Sequence, residues 1–112
     1  MEILEFRSLI AVKGVAMGFI NKSGILEWNK NNVESILATC GVYVLRNSVK
    51  QIVYIGRSDI SLRDRLLVHW NNRDIPNVLY FDWYQTSDAL NAKNLEEVWI
   101  KQYKPMYNIQ LK

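Results

Sequence analysis

Gly41-Val42-Tyr43-Val44-Leu45-Arg46-Asn47-Ser48-Val49-Lys50-Gln51-Ile52-Val53-Tyr54-Ile55-Gly56-Arg57-Ser58 is the stretch that decides the fold. Two runs rich in Val, Ile and Tyr, 41–47 and 51–58, flank Ser48–Lys50. This is the pattern of two antiparallel strands closed by a short turn. Ten residues separate Tyr43 from Tyr54, so the two phenols can stand side by side on neighbouring strands. Gly41 opens the first run, and Gly56 precedes Arg57 at the end of the second, where it reads as a turn glycine.

Working downstream, Ser61 offers an N-cap with Asp64 three residues on, and the helix it starts runs to about Asn72. Asp74 to Asn77, with Pro76, reads as a loop, and Val78–Gln85 as a third strand. Ser87 or Asp88 caps a second helix, which Pro105 ends by disfavouring helical geometry at Lys104. The order β-β-α-β-α predicts an α+β fold: a small central antiparallel β-sheet of three core strands, flanked by helices.

Upstream, residues 1–40 form an N-terminal extension to a core at 41–108. Residues 3–20 carry β-branched and aromatic side chains broken by Gly14 and Gly18, which predicts one or two strands and a β-rich extension. Asn21 to Gly24 reads as a turn, and Asn31 to Thr39 as a short helix. At 112 residues the chain is one domain, too short for a core plus a separate recognition domain.

Charge is unevenly placed. In residues 1–40, Arg7, Lys13, Lys22 and Lys30 cancel Glu2, Glu5, Glu27 and Glu34, so the net +3 lies wholly in residues 41–112. A basic surplus there mildly favours a polyanionic partner. The one cysteine, Cys40, has no partner for an internal disulfide, which fits a reducing, cytoplasmic setting. Leu9 to Ile20 is short and contains Lys13, so no membrane span is expected, and the acidic N-terminus argues against a signal peptide.

The chemistry-bearing residues fall on the two helices and the two strands. On the second helix, Ala92, Leu95, Trp99, Ile100 and Tyr103 share one apolar arc. Glu96 falls inside that arc. Glu97 falls opposite, one turn from Lys93 and Lys101, where charge pairing on a wet face explains it. A carboxylate on an apolar face needs a cation, either an arginine or a divalent metal. On the first helix Leu62, Leu66 and Trp70 form the buried stripe, with Arg65 and His69 together at one edge of it. Arg65 there either snorkels along apolar surface or points into a cleft.

Taken in order, GVY, ten residues, YIGRS, LRDRLLVH, EEVWIK and KPMYN resemble the GIY-YIG nuclease superfamily over residues 41 to 108. The resemblance implies a small stand-alone nuclease domain, a metal-dependent endonuclease acting on DNA, with RNA left open. Glu96, four before the helix isoleucine Ile100, then holds one divalent ion, Mg²⁺ or Mn²⁺. Arg65 sits on the family's Leu-x-x-Arg-Leu pattern, and His69 on a position often filled by histidine or tyrosine. Tyr43, assisted by His69, is implied as general base toward water, and Tyr54 as a phosphate-positioning group. Arg57 and Arg65 are implied as transition-state stabilisers and nucleic-acid contacts. Asn108, in a Pro-x-x-Asn ending, is grouped with the nucleic-acid-binding residues, either orienting the active site or capping a turn. Between Gly56 and Arg65 the chain is one residue longer than the commonest family spacing, with Ser58-Asp59-Ile60-Ser61 in the turn.

The implied mechanism is one-metal hydrolysis without a covalent intermediate. A phenol near pKa 10 becomes a usable base only where cations favour its ionised form. The competing readings are a non-catalytic nucleic-acid-binding module, with Tyr80-Phe81-Asp82-Trp83-Tyr84 presenting aromatics for base stacking, and a compact restriction-type endonuclease. A homodimer or a separate recognition partner is compatible with either.

Overall fold

The computed structural model describes residues 18–110. The strands expected before residue 18 lie outside the described residues. Gly18–Ile20 is irregular, although Ile20 N–H already donates to the Gln85 carbonyl at 2.7 Å.

The elements run β1 (Asn21–Lys22), β2 (Leu26–Glu27), α1 (Lys30–Glu34), β3 (Gly41–Arg46), β4 (Ile52–Ser58), α2 (Leu62–Asn72), β5 (Tyr80–Gln85), α3 (Ala89–Tyr103) and α4 (Met106–Gln110). The sheet is antiparallel throughout in the order β1-β5-β3-β4, with β2 also on β5. The fold is α+β, a small antiparallel sheet between helices.

The expected turn at 21–24 is different in kind. Asn21 pairs with Gln85 and Leu26 with Phe81, so β1 and β2 lie along one edge of β5 as a strand interrupted by an extra residue. Ser23 keeps contact across the break: its N–H donates to the Trp83 carbonyl at 3.1 Å, and its Oγ accepts from Trp83 N–H at 3.0 Å. Gly24 supplies the positive φ of 76° that the bulge needs.

Local signals set the other boundaries. Asn29 caps the short α1, Ser61 Oγ accepts from Asp64 N–H to start α2, and Asp88, not Ser87, caps α3. Both long helices end on a left-handed residue, Arg73 with φ 49° and Lys104 with φ 47°. Between β3 and β4, Asn47 Oδ1 accepts from the N–H groups of Val49 and Gln51, closing the turn.

Alternation along the strands splits the core in two. On one face Tyr43, Leu45, Phe81 and Trp83 pack with Val33 of α1 and Leu62 and Leu66 of α2. On the other, Val42, Val44, Ile55 and Tyr84 pack with Ala92, Leu95 and Trp99 of α3. Phe81, Trp83 and Tyr84 are therefore buried between layers. Their side chains pack against residues of α1 and α2 on one face and of α3 on the other, so they are not presented for base stacking. Beneath α3 a buried carboxylate, Asp82, is held by Arg46 through Nε at 2.7 Å and a second guanidinium nitrogen at 3.1 Å, and by the Tyr84 hydroxyl. Tyr103, expected on the apolar arc, is exposed at the end of α3. Among the described residues no helix is long and apolar enough to cross a membrane.

Candidate active site

The site forms around β4, the outer strand of the sheet, where side chains from both faces meet. Register explains the placement. Tyr43 lies across from Gly56, and Leu45 across from Tyr54, so the two tyrosines are diagonal neighbours on one face with ring centroids 6.3 Å apart. Val42 lies across from Arg57, which sends Arg57 to the α3 face.

Gly56 is not a turn glycine. It sits inside β4 at ordinary φ, and a Cβ there would strike the phenol ring and hydroxyl of Tyr43. Its missing side chain is the space Tyr43 occupies. Gly41 is tight for a different reason: a Cβ would meet the Tyr84 carbonyl oxygen and Leu62 Cδ1.

One open cleft is lined by Tyr43, Tyr54, Gly56, Arg57, Ser58, Asp59, Arg65 and Glu96. Of the residues expected at the site, Tyr43, Tyr54, Arg57, Arg65 and Glu96 thus share one cleft. Glu96 is 17% exposed on the face of α3 turned to β4, whereas Glu97 is exposed. The cation that satisfies Glu96 here is Arg57, whose terminal nitrogen donates to Oε1 at 2.7 Å. Arg57 Nε donates to Asp59 Oδ1 at 3.1 Å. Hydrogen bonding to Glu96, then to Asp59, holds the Arg57 guanidinium above its ordinary pKa. The second Glu96 oxygen has no protein donor among the described residues. Arg65 is exposed, lines the cleft beside the Tyr43 and Tyr54 phenols, and has no carboxylate partner among the described residues.

Behind the cleft His69 is buried, 4% exposed, deeper than the edge position expected for it. Its Nε2 lies 2.6 Å from the Tyr43 hydroxyl and its Nδ1 2.8 Å from Asp74 Oδ1. The Tyr54 ring meets the imidazole edge-on at 5.6 Å. Burial pushes the Tyr43 phenol up, the neighbouring Tyr54 adds to that, and Arg65 opposes it. Burial also raises Tyr54, again against Arg65.

Asn108 does not face the cleft. It is buried on α4, and both ends of its amide are spent on Ile55: Oδ1 accepts from the Ile55 N–H and Nδ2 donates to the Ile55 carbonyl, each at 2.8 Å. It replaces a missing neighbour strand on the outer edge of β4 and is not available as a nucleic-acid contact.

Asp59 and Asp74 join the site although no local sequence signal marks them. Asp59 sits in the longer turn after β4. There Ser58 Oγ accepts from the Ile60 and Ser61 N–H groups, and Ile60 is thrown into solvent at 83% exposure. Asp74 was legible only as a polar loop residue.

Comparison with known proteins gives a consistent result. The family model described as the UvrC-like GIY-YIG domain matches residues 39–109. The UvrABC system protein C of Clostridium acetobutylicum is 33% identical over 81 residues, covering 64% of this chain and 13% of that protein. The protein of the same name from Dictyoglomus thermophilum is 32% identical over 90 residues, covering 74% of this chain and 15% of that protein. The chain thus spans only about a seventh of the length of these curated relatives. Among solved structures, the GIY-YIG N-terminal endonuclease domain of UvrC from Thermotoga maritima, bound to magnesium as its catalytic divalent cation, superposes with a TM-score of 0.62 at 23% identity. The match covers 70% of this chain and 93% of that one.

Proposed function

The chain belongs to the UvrC-like GIY-YIG domain family, and on that premise we propose that it is an endonuclease that hydrolyses phosphodiester bonds in DNA with one divalent cation. The observation that carries the reading is the cleft itself. It collects two phenols, a guanidinium without a carboxylate partner among the described residues, and a largely buried carboxylate around a single open space.

The donor set fits a hard cation. Among the described residues no three His, Cys, Asp or Glu side chains cluster into a cage. A single carboxylate suits Mg²⁺ or Mn²⁺, which keep several waters and take further oxygens from the substrate phosphate. The magnesium of the Thermotoga maritima domain supports the same choice. Glu96 would hold the ion, which when bound would neutralise charge on the scissile phosphate and the leaving oxygen. Arg57, tied to both Glu96 and Asp59, fixes the carboxylate's orientation. Arg65 stabilises the charge that builds on the phosphate in the transition state. Tyr54 orients the phosphate, and Tyr43, in contact with His69, takes the proton of the attacking water.

A digestion panel tests this: supercoiled and linear duplex, single-stranded and branched DNA, and RNA, each with Mg²⁺, Mn²⁺ or EDTA. Cleavage of DNA that requires the metal is the expected result. Binding to these substrates without cleavage of any would overturn the reading in favour of a binding module.

A further inference from the structure

We propose that Asp74 is a positioning residue for this reaction, holding His69 in the one tautomer whose Nε2 can receive the Tyr43 proton. The inference rests on the endonuclease reading and deepens it. A carboxylate can only accept hydrogen bonds, so Asp74 Oδ1 at 2.8 Å requires the hydrogen on Nδ1 of His69. In the neutral ring Nε2 is then a bare acceptor. The group 2.6 Å from it, the Tyr43 hydroxyl, must donate. The opposite tautomer would set a bare Nδ1 against a bare carboxylate oxygen. The chain of contacts therefore has one direction, from Tyr43 O–H to Nε2 and from Nδ1–H to Asp74.

Local structure brings Asp74 into place. Arg73 ends α2 in the left-handed conformation, φ 49°, with its N–H on the His69 carbonyl at 2.8 Å. That turn folds the next residue back under the imidazole. The Arg73 guanidinium goes elsewhere, over the Trp70 ring at 5.1 Å, and leaves the Asp74 carboxylate to His69.

Such a relay answers a difficulty in the chemistry. Burial raises the Tyr43 phenol, so a free phenolate is scarce at neutral pH. With His69 behind it, Tyr43 need never stand as a free phenolate. As the water oxygen bonds to phosphorus, the water proton passes to the Tyr43 oxygen and the phenol's own proton passes to Nε2. The leaving oxygen departs with the electron pair of its bond to phosphorus and takes a proton from solvent. The imidazolium formed lies against the Asp74 carboxylate, and its proton returns through Tyr43 to solvent after product leaves. Protons balance without any co-reactant.

His69 is the only histidine in the chain, so ¹⁵N-histidine labelling reports this ring alone. The metal-free wild type should show the tautomer with hydrogen on Nδ1, and Asp74→Ala should lose that preference. Asp74→Asn, which keeps an acceptor oxygen, should retain it. Asp74 is 42% exposed, so these variants should fold. On duplex DNA with Mg²⁺, Asp74→Ala should lower kcat about tenfold or more, part of the roughly 10²–10⁴-fold that a positioned acid–base group contributes, with KM unchanged. Asp74→Asn should recover part of the loss, and in a His69→Gln background Asp74→Ala should cost nothing further. A wild-type ring protonated on Nε2 alone, or a full additional loss in the His69→Gln background, would overturn the proposal. An Asp74-dependent tautomer in a wild type that cuts no DNA would instead overturn the endonuclease reading, leaving the hold of Asp74 on His69 standing.

Discussion

Replacing Asn108 with alanine separates an architectural role from a nucleic-acid contact. The wild-type amide satisfies both polar groups of Ile55, a fully buried residue in the middle of β4. Alanine leaves a buried N–H and a buried carbonyl without partners. Each orphaned group costs about 1–3 kcal/mol, so the pair should cost about 3 kcal/mol once partial hydration is allowed. For a domain of this size that is a fall in Tm of about 10 °C. Asn108→Asp should not rescue, because it sets a bare oxygen against the Ile55 carbonyl. Thermal unfolding by circular dichroism reads the stability. Fluorescence anisotropy on a labelled duplex in EDTA, well below the melt, reads affinity, which should not change. An Asn108→Ala protein as stable as wild type but unable to bind DNA would refute the assignment.

Three further outcomes follow from the site. Arg65→Ala should lower kcat by about 100-fold while affinity falls much less; a loss confined to binding would make Arg65 an anchor only. At high pH, burial raises the Tyr43 phenol above its ordinary value of 10.0. The folded state therefore keeps that proton longer than the unfolded chain. The stabilisation is complete below about pH 10 and is lost as pH rises above it, so Tyr43→Phe should flatten the alkaline fall of stability measured by denaturant titration. Binding by this domain should weaken steeply with salt and show little sequence preference, because phosphate contacts carry no base information; a salt titration on unrelated duplexes checks this.

Much of this was legible in the sequence where the signal was local. The Val/Ile/Tyr runs gave β3 and β4, Ser61 and the Ser87/Asp88 pair marked the helix starts, and the 100° step separated Glu96 from Glu97. What escaped depends on distant partners. β1 and β2 are two residues each, too short for any period, and exist because β5 accepts them. Gly56 looked like a turn residue because its partner, the Tyr43 ring, lies across the strand pair. The polar atoms of Asn108 find Ile55, 53 residues away in sequence, and no local pattern announces that. Glu96 and Arg57 are likewise 39 apart. Helical geometry required a cation for Glu96 without naming it, and an arginine was one of the two choices. Asp74 lay in an ordinary polar loop, and only the left-handed turn at Arg73 aims it at His69.

The central claim, hydrolysis at a metal held by Glu96, is tested most directly by nicking of supercoiled plasmid by wild type, Glu96→Gln and Glu97→Gln at matched DNA occupancy, with Mg²⁺ or EDTA. A single such cleft among the described residues predicts the nicked circle before any linear product. Wild type and Glu97→Gln should nick in Mg²⁺ and stop in EDTA, and Glu96→Gln should bind without cutting. Nicking by Glu96→Gln at the wild-type rate, or nicking that persists in EDTA, would contradict the account.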